Sequence, residues 1–388
     1  MRFLVLGGGA QGSAAAFDLL REPGVEEVTV ADRVNPAVPF YLRGYAGGER
    51  LRFLELDARD AGAVLEAMQG VDAVACALPY YLNAPMSHLA VEAGVHYADL
   101  GGNTEIVGQQ RQDHEAAVSK GLSIVPDTGL APGMVNILAR AGMDALAEVE
   151  AVRMWVGGLP QDPHPPLNYQ IVYSIEGVLD YYTEPGIVLR EGEPTRVEAL
   201  SEVEAVNFEG LGELEAFHTA GGASTLPERF RGKMRTLEYK TLRYPGHAAL
   251  MRAIRELGLL DQEPVQVGAV EVSPRQLFIA RVSPILRKPD GRDLVVLRVE
   301  VEGGTPSGPA RVAFELIDRY DDILRMSAMA RCTGFSLSLT SLMQARGEVL
   351  APGVLTPDQA IPAEAYIAGL ARRGVRIRRS EAGEARSP

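Results

Sequence analysis

The segment Arg2-Phe-Leu-Val-Leu-Gly-Gly-Gly-Ala-Gln-Gly12 constrains the fold more than any other stretch of this chain. Its short apolar run, rich in branched and aromatic side chains, has the texture of a parallel strand buried on both faces. The alanine-rich continuation to Leu20 reads as a helix. Between the two, Gly7, Gly9 and Gly12 spell G-x-G-x-x-G. In a strand–turn–helix setting the first glycine makes the tight turn, the second lets the backbone approach a pyrophosphate, and the third lets helix and strand pack closely. Gly7, Gly9, Ala10, Gln11 and Gly12 are therefore the candidate phosphate cradle, at a helix N-terminus whose free N–H groups favour an anion. A second strand, Val28 to Ala31, ends in Asp32, twenty residues beyond Gly12. An acid placed there accepts hydrogen bonds from the ribose hydroxyls of NAD. Arg33 offers a charge for the 2′-phosphate of NADP, but Asp32 would repel that phosphate, so NAD is the expected cofactor.

The α/β alternation continues through strands at Leu51–Leu56 and Val71–Leu78, with a helix at Ala61–Met68 between them. Asp57 follows the third strand, either beside the adenine or as a turn or capping aspartate. Leu78 and Pro79 lie at the C-terminal end of strand four, the edge at which open parallel sheets bind ligands, and are assigned to the nicotinamide end. A strand through Asp99, a long helix Thr104–Lys120 and a strand Leu122–Val125 complete six strands. From Glu148 the apolar positions alternate with period two, as in an antiparallel sheet with one covered face. Strands are expected at Glu150–Val156, Gln170–Tyr173, Ile187–Arg190, Leu214–Phe217, Arg235–Tyr244, Leu294–Val301 and Arg311–Ile317. The expected fold is α/β: a Rossmann-type doubly wound parallel sheet plus an α+β substrate domain with a mainly antiparallel sheet. The expected divisions are 1–125, 126–322, a helical segment 323–379 that packs back on the first domain, and a polar tail 380–388.

Composition narrows the partners. A net charge of −13 disfavours nucleic acid. No apolar run is long enough to span a bilayer, and the N-terminus lacks a signal-peptide pattern, so a cytoplasmic protein without a membrane partner is expected. Cys76 and Cys332 are far apart and the six histidines are scattered, which supports neither a disulfide framework nor a metal site. A homo-oligomer, most simply a dimer, is the usual expectation for such a protein.

Chemistry concentrates in Leu237-Glu-Tyr-Lys-Thr-Leu-Arg-Tyr-Pro-Gly-His247. Lys240, Arg243 and His247 bring three potential cations to one strand–turn–helix junction, a place for a substrate carboxylate or a set of surface charges around a capping turn. Asp99 precedes two glycines at the ligand-binding edge, and Gly129-Leu-Ala-Pro-Gly133 forms a shaped loop. These stretches resemble the saccharopine dehydrogenase family, together with Asn168-Tyr-Gln-Ile-Val-Tyr-Ser174, Glu176-Gly177, Gly221–Leu226 and Ala328–Gly334. The match is nearest to its lysine-deaminating branch. Saccharopine-type members often carry an aspartate in the Gly-Leu-x-Pro-Gly loop, where this chain has Ala131.

The resemblance implies NAD-dependent oxidation of the terminal amine of lysine or a close analogue, an amino acid being the small-molecule partner. Alternatives are an enzyme that forms or cleaves a secondary amine of the saccharopine or carboxynorspermidine type, and a non-catalytic dinucleotide sensor. Under the first reading Arg243 takes the carboxylate with Lys240 and Thr241 in support. Tyr173, Asn168 and the Gly221–Thr225 loop line the pocket, and His247 and Asp99 are candidates for proton transfer or orientation. His247 has a bland alternative as a helix cap, and His218 is read as structural.

Overall fold

The computed structural model describes residues 1–34 and 37–383. The first sheet has seven parallel strands. Six are β1 (Arg2–Leu6), β2 (Glu27–Asp32), β3 (Leu51–Glu55), β4 (Ala73–Cys76), β5 (His96–Asp99) and β6 (Ser123–Val125). Their spatial order is 3-2-1-4-5-6, the doubly wound arrangement, with its topological switch point between β1 and β4. The interior of β1 is fully buried at Phe3, Leu4, Val5 and Leu6, as the uninterrupted apolar run requires.

The seventh strand is Gly353–Val354, paired with β6. Two residues carry too little periodicity to stand out in sequence. The helix expected over Thr104–Lys120 is broken into Thr104–Gln110, a short 3₁₀ turn at Arg111–Asp113, and His114–Ser119.

The second sheet has nine strands, among them Glu148–Pro160, Gly212–His218, Thr236–Arg243, Asp293–Thr305 and Gly308–Arg319. It is mixed: Thr236–Arg243 runs parallel to Glu148–Pro160, while Asp293–Thr305 pairs antiparallel with Glu148–Pro160 on one side and Gly308–Arg319 on the other. Gln170–Tyr173 is not a strand but irregular chain leading into the helix Ile175–Thr183. Its four apolar-rich residues make cavity and core contacts that mimic a strand's pattern.

The helix Ala328–Ala345 is buried along nearly its whole length and packs against α1 (Ala10–Arg21), β4 and β5. At Gly334 a side chain would run into the backbone of Gln11 and Ala15, so the small residue permits the close approach. Ile323 lies outside this helix and is exposed. The polar tail expected from Ser380 begins within a strand, since Arg378–Gly383 forms an edge strand on Gly308–Arg319. Residues 384–388 of that tail lie outside the described residues.

Candidate active site

The glycine loop between β1 and α1 is built by exclusion. Gly7 has φ +95°, and a side chain there would press on the backbone of Ala77. A Cβ on Gly12 would run into the carbonyl oxygen of Gly7. Gly9 differs: nothing lies within 4 Å of where its Cβ would stand. It caps α1 without a side-chain hydrogen bond, so no capping side chain occupies the first-turn N–H groups. That space beside a helix N-terminus fits a pyrophosphate. Asp32, at the end of β2, accepts a 2.7 Å hydrogen bond from the Gly8 N–H and holds the loop from the ribose side. Arg33 is exposed next to it. Asp57 is exposed and accepts from the Arg59 N–H at 3.0 Å, the turn-aspartate geometry.

Between the two sheets lies a cavity of about 380 Å³. One side is formed by Gln11 of α1 and by Ala77, Leu78, Pro79 and Gly101, which follow β4 and β5. The facing wall is one face of the strand Thr236–Arg243, with Tyr239, Thr241 and Arg243 turned inward. Side chains on a strand alternate, which decides the fate of Lys240. It points to the other side, where its ammonium lies 3.2 Å from Glu204 and donates to the Glu202 carbonyl at 3.0 Å. The grouping of Lys240 with Arg243 is therefore corrected by the pleat.

Arg243 is buried at the cavity wall. Its Nε donates to the Tyr182 hydroxyl at 3.0 Å, its Nη1 to the Leu242 carbonyl at 2.8 Å, and its guanidinium lies over the Tyr169 ring. Among the described residues no carboxylate pairs with it. Behind it runs a chain with a fixed direction. The Leu167 carbonyl can only accept, so His247 Nδ1 carries the proton at 3.0 Å from it. His247 Nε2 then accepts from Tyr182 at 3.0 Å, and Tyr182 accepts from Arg243. Burial, followed by the charge of Arg243, pushes the imidazole down to about 3, so it is neutral at ordinary pH. His247 is buried, stacked on Phe217 and off the cavity. Through this chain it orients Tyr182 and Arg243. Thr241 lines the wall and shares a 2.8 Å hydrogen bond with Thr219.

Asp99 is also set behind the cavity. It is wholly buried, accepts from Gly101 N–H at 2.8 Å, Asp127 N–H at 3.2 Å and Gln110 Nε2 at 2.6 Å, and is pushed by burial to about 6. Those bonds shape the Gly101–Gly102 loop, and Asp99 does not line the cavity. Asp127, which the sequence reading passed over, supports the same loop. It accepts from Gly102 N–H at 3.2 Å and from the Ser224 hydroxyl, and burial pushes it to about 7.

Tyr173 lines the cavity as expected of its segment, but Asn168 does not. Asn168 takes a left-handed turn conformation, φ 47°, and its N–H bonds back to His164. The Gly221–Thr225 loop sits one layer out: side chains on Gly221 and Gly222 would collide with Tyr181 and Tyr239, which do line the cavity. His218 is buried between the Tyr239 carbonyl and Glu202, a structural position.

The remaining lining was not anticipated. Glu176, Gly177, Asp180 and Tyr181 form one face of the helix Ile175–Thr183, and Met329 and Thr333 one face of the long helix. Helical spacing would have grouped each set, yet nothing in the sequence says which face meets a cavity. Among the described residues no cluster of His, Cys, Asp and Glu could hold a metal ion, and no helix is long and apolar enough to cross a membrane.

Residues 3–125 match the family model described as saccharopine dehydrogenase NADP binding domain, and residues 129–375 that of the saccharopine dehydrogenase C-terminal domain. The chain is 23% identical over 426 residues to mitochondrial alpha-aminoadipic semialdehyde synthase of Mus musculus, across 92% of this chain and 45% of that protein. It is 22% identical to the NADP(+), L-glutamate-forming saccharopine dehydrogenase of Schizosaccharomyces pombe, across 61% of this chain and 53% of that one. It thus spans about half the length of these curated relatives. Apo saccharopine dehydrogenase (L-Glu forming) from Saccharomyces cerevisiae superposes with a TM-score of 0.80 at 17% identity, covering 98% of this chain and 100% of that one. Homospermidine synthase from Legionella pneumophila in complex with NAD gives 0.68 at 10% identity, covering 100% and 94%. Both likenesses show a shared fold.

Proposed function

This chain belongs to the saccharopine dehydrogenase family, and from that premise we propose that it is a nicotinamide-dinucleotide-dependent oxidoreductase of an amino acid's carbon–nitrogen bond, with the terminal amine of lysine or a close analogue as substrate. The observation that carries the reading is Arg243, a buried guanidinium on the cavity wall with no carboxylate partner among the described residues. A buried cation in that state is matched by a ligand carboxylate, which arginine holds through a planar fork.

The cofactor residues fit a dinucleotide: Gly9, Ala10 and Gln11 for the pyrophosphate, Asp32 for the ribose, Leu78 and Pro79 for the nicotinamide end. When bound, it supplies the hydride acceptor. The protein's own work is placement and desolvation. Arg243, aimed by Tyr182 and His247, fixes the carboxylate and so the distance of the reacting carbon. Leu130, Ala131, Val156 and Met329 give the cavity an apolar lining. An apolar lining lowers the pKa of an amine from its free value of about 10.4, favouring the neutral form from which hydride can leave. The resulting imine is hydrolysed to a semialdehyde and ammonia. Asp32 disfavours a 2′-phosphate, so NAD is preferred, and a cytoplasmic homodimer belongs to the same proposal.

A second reading, oxidation of a secondary amine of the saccharopine type, is supported by the names of the relatives. One experiment separates them. Purified protein is given NAD or NADP with either lysine or saccharopine, and reduced nicotinamide and ammonia are measured. Turnover of lysine with stoichiometric ammonia, at about 1 per second or faster, supports the leading reading. Turnover of saccharopine alone replaces it with the second, and no turnover of any amino-acid amine removes both.

A further inference from the structure

The cavity carries a second charge that the carboxylate site leaves unused. Glu176 and Asp180 are four residues apart on the helix Ile175–Thr183 and share its cavity face. Asp180 is already neutralised: Arg275 donates to it at 2.6 Å, and the Tyr80 hydroxyl stands 3.4 Å away. Glu176 has no ion-pair partner among the described residues, and only its backbone carbonyl is used, by Arg275 at 3.1 Å. Tyr173 lines the same cavity as Glu176 and Arg243. Its ring edge is 4.0 Å from where a Cβ on Gly177 would stand, and its phenol feels the field of Arg243. One cavity is therefore lined by a buried cation, Arg243, and an exposed anion, Glu176, neither with an ion-pair partner among the described residues.

A substrate with both charges fits that pair, and electrostatics assigns its ends. A carboxylate placed against the reacting amine would favour the ammonium form, which cannot give up hydride. The free carboxylate must then meet an ammonium that takes no part in the reaction. Resting on the amine-oxidation reading above, we propose that Glu176 binds the α-ammonium of the substrate, so that Arg243 and Glu176 together recognise the amino-acid zwitterion. The terminal amine is left to the apolar part of the cavity. Glu176 is on this account a specificity-determining residue, selecting α-amino acids over simple ω-amino acids.

The test is a two-by-two comparison: the full-chain protein and its Glu176→Gln variant, each with lysine and with 6-aminohexanoate, which lacks only the α-ammonium. For lysine the substitution should raise KM about five- to tenfold with kcat little changed. Wild-type protein should use 6-aminohexanoate less well than lysine by a similar factor, and Glu176→Gln should alter that rate by less than about twofold. Glu176→Asp should recover part of the loss on lysine, which separates a charge effect from damage to the fold. Equal losses on both substrates, or no loss on either, would overturn the assignment while leaving amine oxidation standing. If wild-type protein oxidises neither compound, the underlying reading falls and takes the assignment with it.

Discussion

The two halves of the active site use different parts of the polypeptide. On the cofactor side the work is done by backbone: glycines that cannot carry a Cβ, the open turn at Gly9, and the N-terminus of α1, with Asp32 as the principal side chain. On the substrate side it is done by side chains drawn from segments around residues 173–181, 239–243 and 329–333. A backbone site is local and leaves a contiguous signature. A side-chain site is assembled by tertiary packing, and its members are set by which face of each element looks inward.

The contrast can be broken most severely at the glycines. Gly12→Val should abolish dinucleotide binding and lower the melting temperature, because its side chain has no room beside the Gly7 carbonyl. Gly9→Ala should keep the melting temperature and lose only cofactor affinity, measured by calorimetric titration. Equal melting losses in both would mean the loop's glycines serve packing alone. Next in size, Arg243→Met should reduce kcat/KM for a carboxylate-bearing amine by about a hundredfold or more, with far less effect on an amine that has no carboxylate.

Smaller still is a pH effect on stability. His247 titrates near 3 in the folded protein and near 6.5 in the unfolded chain, so between these values the unfolded chain binds the extra proton. The stabilisation from the neutral imidazole is complete above about 6.5 and is lost as pH falls toward 3. Asp99 and Asp127, raised to about 6 and about 7, have the opposite sign, their contribution fading as pH rises through those values. Thermal melts of wild type and His247→Gln across this range should differ mainly on the acid side, where the variant loses less; parallel curves would refute the buried neutral imidazole. Smallest of all, Lys240→Ala should leave KM within about twofold, since its ammonium is on the far face of the strand. A large rise in KM would put Lys240 back with Arg243.

What sequence alone could reach follows the same line. β1, the glycine turn, α1, β2 and Asp32 are adjacent in the chain and obey one periodicity after another, so they were legible as a unit. Arg243 was reachable because a cation on a strand beside a turn is an unusual local arrangement. Lys240 was misgrouped because closeness in sequence is not closeness on a pleated strand. Asn168 was placed on the pocket by its neighbours, whereas the backbone spends it on a turn. Tyr239 was recoverable by stepping two residues back from Thr241, but Glu176 and Tyr181 required knowing which side of their helix faces the cavity. Asp99 shows a further limit: an acid at the ligand edge of a parallel sheet can be absorbed entirely by the loop it supports.

The helix Ala328–Ala345 and the strand Gly353–Val354 complete a sheet that begins at residue 2. During synthesis, then, the glycine loop emerges from the ribosome long before the surface that covers α1 exists. We expect the nascent N-terminal domain to expose its apolar alanine face until the helix Ala328–Ala345 has been made, and to depend on chaperones over that interval. Ribosome-bound chains halted before residue 328 should be readily cut by protease within 1–125, and chains carried past residue 354 should resist.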